Sequence, residues 1–330
     1  LNHYIAWVRD SKTVTVADRI AQYSTIAFDV SVTDIYGALT TGASLYPAVR
    51  RSDRMFPARL VARERLTVWN STPSVISLMI QAEEMDRKFL GSLRLINTCG
   101  EPLLPIHLER VFAALPDVVV QNSYGPTETT VTMTELRLTR DNFRAACRHT
   151  VAIGSPIRGM EIVLCGGGHA DEGEIAIAGP QLALGYLGDS ERTARSFRTI
   201  DVDGVAKRAY LSGDWAERHA GYVYFKERID HQVKIRGFRL ELDEVARAIH
   251  DQGYAVTCVL KWRDQLAAVI EQKSGVEFDE MRLRAALAQK IDDYAIPSII
   301  RLIDHVPRTQ NDKLDREAIS AWLDAGEPPV

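Results

Sequence analysis

The chain has 330 residues, with 40 Lys and Arg against 44 Asp and Glu for a formal charge of -4, and 46% hydrophobic residues. That composition belongs to a soluble globular protein long enough for two domains, and it excludes a disordered chain. The near-balanced charge argues against a nucleic-acid-binding domain, which gathers a basic excess on one face, and no apolar run reaches the ~18 residues of a membrane span.

The first residues, "LNHYIAWVRDSKTVTVADRI", lack a basic stretch followed by an apolar one, so no export signal is expected. From there to about residue 120, apolar bursts alternate with amphipathic stretches: "STIAFDVSV", "DIYGALTTGASLY", "RLTVWNSTPSVISLMIQAEEM", "LRLINTCGE", "PIHLERVFAAL" and "VVVQNSYG". β-Branched bursts separated by helical patterns predict strand-helix-strand units and a largely parallel sheet. Ligands of such sheets bind beyond the carboxyl ends of the strands. "LINTCGE" and "VVVQNSYGPTE" both run from an apolar strand into small and polar residues, so their loops are expected to face one crevice.

From about residue 150 the pattern changes to short strands with glycine turns, "EIVLCGGGHADEGEIAIAG", "RAYLSGDWAER" and "GYVYFKERID". These predict hairpins in a β-rich subdomain. The "GGG" at 166–168 joins two strand-like stretches and has no helix after it, so it is expected in a hairpin and not at a phosphate site. After "ERIDHQVKIRGFRLEL" an α+β pattern follows: a helix at "DEVARAIH", strands at "YAVTCVLKW" and "LAAVIEQ", a helix at "DEMRLRAALAQKI", an extended "PSIIRLID" and a last helix from about Asp315. The expected fold class is α/β, with a large incomplete domain over residues 1–229 (parallel-type sheet to 150, β-rich from 151) and a smaller α+β domain over 230–330. Cys99, Cys147, Cys165 and Cys258 stand far apart without CxxC or Cys/His spacing, which predicts neither a zinc site nor a disulfide framework and fits a reducing cytoplasm.

Chemistry concentrates in "NSYGPTETT", residues 122–130. Tyr124 offers a ring face for a base, and the Gly125-Pro126 turn brings Thr127 and Glu128 to where a hydroxyl meets phosphate and a carboxylate meets Mg²⁺. Taken alone, such a loop is an ordinary turn. It resembles, however, the "YGPTE" signature of adenylate-forming (AMP-binding) enzymes, and further matches to that family follow in order. They are "FDVS" (28–31), "GEP" (100–102), "GEIAIAGPQLALGYLGD" (173–189), "SGDW" (212–215), "ERIDHQVKIRGFRLELDEV" (227–245) and "NDKLDR" (311–316). Within the family the chain resembles amino-acid adenylation enzymes of the D-alanine:carrier-protein ligase type.

The resemblance implies a role for each matching residue. Asp29 would hold a substrate α-ammonium, and a charge pair in a partly desolvated pocket favours an amino acid over a fatty or aryl acid. Thr33, Asn97, Cys99, Ser123, Val131 and Thr132 fall at pocket positions, with Cys99 as wall and not nucleophile. Gly100, Glu101, Asn122, Tyr124 and Gly125 would form the nucleotide side. Asp214 would accept from the ribose hydroxyls and Arg228 add a ribose or phosphate contact; its setting "KER" departs from the family's Gly-Arg. Thr127 and Glu128 would act at phosphate and metal, and Lys313 would bridge substrate carboxylate and phosphate. Asp312 stands where the family has glycine before that lysine. Asp230 matches the hinge between domains. "KIRG", 234–237, would bring Lys234 and Gly237 to the path of the thiol arm, with Lys234, Arg236 and Arg239 also available to an acidic carrier.

The implied reaction is ATP- and Mg²⁺-dependent activation of a small amino acid, followed by transfer to the phosphopantetheine thiol of an acyl or peptidyl carrier protein. The Ser/Thr/Gly-rich loop ending in Lys-Gly, with which the family cradles the β- and γ-phosphates, does not occur in these 330 residues. The expectation is a fragment, a chain whose N-terminal subdomain resides on another chain, or a nucleotide-binding remnant without turnover. An acyl- or aryl-CoA synthetase is the alternative that Asp29 disfavours.

Overall fold

The computed structural model describes residues 1–11, 14–166, 171–229, 232–235, 238–254, 257–271, 278–309 and 314–326, the side chains of Gln232 and Arg239 excepted. The chain forms two compact units, Leu1–Ile229 and Asp230–Val330.

In the first unit, α1 (Asn2–Asp10) precedes β1 (Arg19–Gln22), α2 (Val30–Thr41), β2 (Ser44–Pro47), α3 (Arg51–Met55), α4 (Pro57–Glu64), β3 (Val68–Ser71), α5 (Pro73–Gln81), α6 (Arg87–Leu90), β4 (Leu95–Thr98), α7 (Pro105–Ala114), β5 (Val119–Tyr124), β6 (Thr134–Leu138) and β7 (Ser155–Pro156). The strands join in the order β2-β1-β3-β4-β5-β6-β7, parallel from β2 to β5 and antiparallel from there to β7. Every residue of β3 and β4 is buried, as expected for interior strands covered on both faces. Pro73 and Pro105 open their helices at a position where no N–H is needed. The core beneath the sheet is built from Leu60, Leu66, Trp69, Ile76, Leu90, Leu108 and Val120.

One burst departs from the sequence expectation. "STIAFDVSV" holds no strand; β1 lies earlier, and Val30 and Val32 begin α2. The β-branched residues yield here to tertiary packing, because the helix buries Ser31, Asp34, Gly37 and Ala38. Gly42 ends it in the left-handed conformation, φ 78°.

The amino-terminal ends of the parallel strands are tied by one buried acid. Asp18, before β1, accepts from Arg94 Nε at 2.7 Å, Thr67 Oγ1 at 2.7 Å and the Thr15 amide at 2.7 Å. Burial alone would raise its carboxyl, but Arg94 and the hydroxyl and amide donors hold it down at about 2.

The β-rich part contains β8 (Glu161–Cys165), β9 (Glu172–Ala178), α8 (Ser190–Ser196), β10 (Phe197–Val202), β11 (Val205–His219) and β12 (Tyr222–Arg228), with strand order β10-β11-β9-β8 and β12 also on β11. β8 and β9 pair antiparallel, in keeping with a hairpin; residues 167–170, which include two of the three glycines, lie outside the described residues.

The second unit has the β13 (Gln232–Ile235) and β14 (Phe238–Glu241) ribbon, then α9 (Leu242–His250), β15 (Thr257–Trp262), β16 (Gln265–Glu271), α10 (Glu280–Leu287), β17 (Ile299–Ile303) and α11 (Arg316–Ala325). β15 and β16 are antiparallel, and β16 and β17 parallel. Leu242, Val245 and Ile249 line one face of α9, and they pack with Val259, Ile270, Leu283 and Ile300. Among the described residues no helix is long and apolar enough to cross a membrane.

Candidate active site

The order in which strands are added to the sheet reverses at β1. The chain makes β2 on one side of it and then crosses to make β3, β4 and β5 on the other. In sheets of this order the crevice outside the carboxyl ends of the strands is the place for ligands. Asp29 follows β1, Cys99, Gly100 and Glu101 follow β4, and Tyr124 ends β5 with the Gly125–Thr132 segment after it, so one edge of the sheet collects the expected residues of the first unit.

Asp29 stands at the N-cap position of α2, in helical backbone and without a capping side-chain hydrogen bond. Thr33, one turn on, meets the Tyr4 hydroxyl at 2.6 Å. Tyr4, from α1, is 1% exposed and packs with Val8 and Val131. Burial pushes its phenol far above the usual range, with Thr33, Cys99, Thr132 and Asp29 among the groups that act on it. Cys99 is buried, with Sγ 3.8 Å from the Val131 carbonyl and 3.9 Å from Thr132 Oγ1. Tyr4 therefore gathers the expected pocket residues around one ring. Nearby, Asn97 and Ser123 are both buried, and Ser123 Oγ donates to Asn97 Oδ1 at 3.0 Å.

Three of the residues expected on the nucleotide side, Tyr124, Asp214 and Arg228, form a second cluster. The β11–β12 register sets Arg228 opposite Asp214, beside the point where the β9 pairing of β11 is interrupted. Arg228 Nη1 donates to Asp214 Oδ1 at 2.7 Å, and the Tyr124 hydroxyl donates to Asp214 Oδ2 at 2.7 Å. Burial first, and then the Asp214 charge, push the Tyr124 phenol well above its usual range, so it stays a donor. A carboxylate accepts about four hydrogen bonds, which leaves Asp214 capacity for ligand hydroxyls beside these two.

Between the clusters runs a tightly wound loop. A Cβ on Gly125 would lie 2.7 Å from the Val131 carbonyl oxygen and 2.8 Å from Thr132 Cα, so only glycine fits. Thr127–Thr129 is a short 3-10 helix, with Thr127 exposed and Glu128 half-buried. Thr130 and Val131 then take φ of 61° and 66°, a left-handed conformation that costs a β-branched residue about 1–3 kcal/mol. Gln181 holds them there: Thr130 Oγ1 donates to its carbonyl at 2.7 Å, and its Nε2 donates to the Thr132 carbonyl at 3.4 Å.

Other expected residues have structural partners. Glu101 Oε2 accepts the Ser74 amide at 3.0 Å, at the start of α5. Asn122 is buried within the sheet, donating to the Ala152 carbonyl at 2.9 Å and accepting from Thr98 at 3.1 Å. Gly100 has φ 96°, which favours glycine at that turn. Lys234 lies in β13, its carbonyl accepting from Lys261 Nζ at 2.9 Å. Asp230, Arg236, Gly237 and Lys313 lie outside the described residues.

Sequence reasoning missed Tyr4, Asp34, Asn70, Gln181 and Tyr186. Asp34 and Asn70 are buried polar partners, Asn70 Nδ2 donating to Asp34 Oδ1 at 2.5 Å. The Tyr186 hydroxyl donates to Glu128 Oε1 at 2.7 Å. Tyr186 lay inside the quoted "ALGYLGD"; a tyrosine between two glycines was the available signal.

Comparison with known proteins places this geometry. Residues 1–187 match the AMP-binding enzyme family. The chain belongs to that family. It is 28% identical over 337 residues to a D-alanine–D-alanyl carrier protein ligase of Bacillus velezensis (97% of this chain, 66% of the relative), and 29% identical over 336 residues to one of Listeria monocytogenes (96% and 64%). It also resembles the crystal structure of the Vibrio cholerae adenylation domain AlmE in complex with glycyl-adenosine-5'-phosphate, with TM-score 0.86 and 28% identity over 98% of this chain and 62% of that one. The chain thus spans 64–66% of the length of these curated relatives.

Proposed function

We propose that the protein activates a small amino acid with ATP to an aminoacyl-adenylate and passes it to the phosphopantetheine thiol of a carrier protein. The carrying observation is that a packed cluster of Tyr4, Thr33, Cys99, Val131 and Thr132 and a second cluster of Tyr124, Asp214 and Arg228 adjoin the two ends of one loop, Tyr124–Thr132, at the carboxyl edge of the sheet. The relatives support a small substrate, since their names specify D-alanine and the AlmE complex holds a glycyl group.

In this reading Asp29 holds the α-ammonium, and Thr33, Asn97, Cys99, Ser123, Val131 and Thr132 bound the side chain. Tyr124 meets adenine, with Gly100, Glu101, Asn122 and Gly125 shaping that side. Ribose hydroxyls donate to Asp214, which Tyr124 and Arg228 hold in place. For the metal, the donor set is Glu128 with the exposed Thr127 hydroxyl; among the described residues no group of three or more His, Cys, Asp or Glu converges. One carboxylate plus substrate phosphates is the usual coordination of Mg²⁺, so these residues fit it. When bound, Mg²⁺ supplies charge neutralisation at the phosphates.

A carboxylate oxygen of the amino acid attacks the α-phosphorus, and the bond to the leaving pyrophosphate breaks. Lys313 stabilises charge on the α-phosphate oxygens. In the second step the thiolate sulfur attacks the adenylate carbonyl, AMP leaves with the bonding pair, and the thiol proton passes to solvent. Asp230 serves as hinge, and Lys234 and Gly237 border the path of the thiol arm. Residues 1–229 constitute the portion that binds nucleotide and amino acid, and 230–330 the mobile portion.

The test is pyrophosphate exchange with glycine, D-alanine and L-alanine. Lys313→Ala is expected to lower exchange by about 10²–10³-fold while AMP binding persists. Exchange independent of any amino acid would overturn the reading, and AMP binding without turnover would favour a non-catalytic module.

A further inference from the structure

We infer that Tyr186 is a positioning residue for Glu128, its hydroxyl holding the carboxylate in the orientation that meets the nucleotide-bound cation. The inference rests on the reading of Glu128 as the metal-side carboxylate.

The geometry of the 181–193 segment supports it at several points. The Tyr186 hydroxyl lies 2.7 Å from Glu128 Oε1 and 3.4 Å from the Tyr210 hydroxyl, so the carboxylate is its strong partner. The same segment grips the backbone of Glu128, whose carbonyl accepts the Ala183 amide at 2.8 Å. Arg208 in turn donates to the Ala183 and Leu184 carbonyls at 2.9 and 2.8 Å.

Tyr186 is fixed at its backbone and on its ring. Its backbone amide donates to Thr193 Oγ1 at 2.8 Å, the Arg192 guanidinium lies 4.2 Å from the ring centre, and Phe197 meets it edge-on at 6.0 Å. Gly185 makes the approach possible: it has φ 154°, and a Cβ there would sit 2.5 Å from Thr193 Cγ2. Leu184 and Leu187, by contrast, point into solvent, at 96% and 105% exposure. The segment thus turns inward a tyrosine whose hydroxyl reaches Glu128. Donors that orient a metal-binding carboxylate typically change metal affinity when removed, without being ligands themselves.

The experiment titrates Mn²⁺, as an EPR-visible substitute for Mg²⁺, into the protein with ATP present. The variants are Tyr186→Phe, Glu128→Gln and Tyr210→Phe, each also followed by thermal melting. Tyr186→Phe keeps the ring and its stacking, so its melting temperature is expected to match the wild type while Mn²⁺ binding weakens about tenfold. Glu128→Gln is expected to weaken it at least as much, and Tyr210→Phe to leave it unchanged. Wild-type Mn²⁺ affinity in Tyr186→Phe alongside a loss in Glu128→Gln overturns the inference about Tyr186. Wild-type affinity in Glu128→Gln overturns instead the reading of Glu128 on which it rests. A lowered melting temperature in Tyr186→Phe assigns the hydroxyl to folding and overturns the inference as well.

Discussion

Asp34 gives the sharpest quantitative prediction. It sits in the first turns of α2 with no exposed surface, and Asn70 donates to its Oδ1 at 2.5 Å. Its Oδ2 has no hydrogen-bond partner among the described residues. Burial raises the carboxyl well above its ordinary value of 3.8, and the Asn70 bond offsets this only in part. Below the unfolded value the protonated group contributes its full stability; as pH rises toward and through the raised folded value, that contribution is lost. In the window between the two values the folded protein holds one proton more than the unfolded chain, so stability falls by about 1.4 kcal/mol per pH unit.

Asp34→Asn preserves the acceptor for Asn70 and replaces the O–H by an N–H that does not titrate. The variant should melt with the wild type near pH 4 and above it at higher pH. The gain grows with pH for as long as the folded carboxyl stays protonated. For a unit of this size each kcal/mol moves the melting temperature by about 2–4 °C, so the gain is read as a melting-temperature difference that widens as pH rises. Calorimetry of both proteins from pH 4 to pH 8 measures it. A difference that does not grow with pH, or a variant less stable than the wild type at pH 7, would refute the reasoning and mean that Asp34 is ionised in the fold.

Two further outcomes follow from the site. Asp214→Ala removes the carboxylate partner of the Arg228 guanidinium, whose side chain is 12% exposed, and should cost about 3–5 kcal/mol in denaturant unfolding, whereas Asp214→Asn should cost less; both should weaken AMP binding measured by calorimetry. Gly125→Ala pushes a Cβ against the backbone of Val131, Thr132 and Met133 at 2.7–2.9 Å, which should cost about 1–3 kcal/mol. Its AMP affinity should fall with its stability; wild-type values for both would mean that the loop is more pliable than its left-handed residues imply.

Much of the site was legible in the chain because its signals are local. Tyr124, Gly125, Thr127 and Glu128 are contiguous, and the alternation of β-branched bursts with amphipathic stretches announced the parallel sheet without reference to any distant residue. The strand-end rule then placed "CGE" and "YGPTE" on one edge, where the structure has them. The same locality misled at "STIAFDVSV", where β-branched composition suggested extended chain and burial of the other face made a helix.

Tertiary structure alone decided which side chains meet. Tyr4 reaches Thr33 across 29 positions, Asn70 reaches Asp34 across 36, Tyr186 reaches Glu128 across 58 and Tyr124 reaches Asp214 across 90. No periodicity or turn propensity encodes such pairs, because they depend on strand order and on the register of β11 with β12, both products of burying the whole sheet at once. The sequence by itself therefore determined most of the element types, the family motifs and the edge on which chemistry would gather. The fold decided that Asp214 is held from two sides, that Asp34 is sealed from water, and that Glu128 has a tyrosine to orient it.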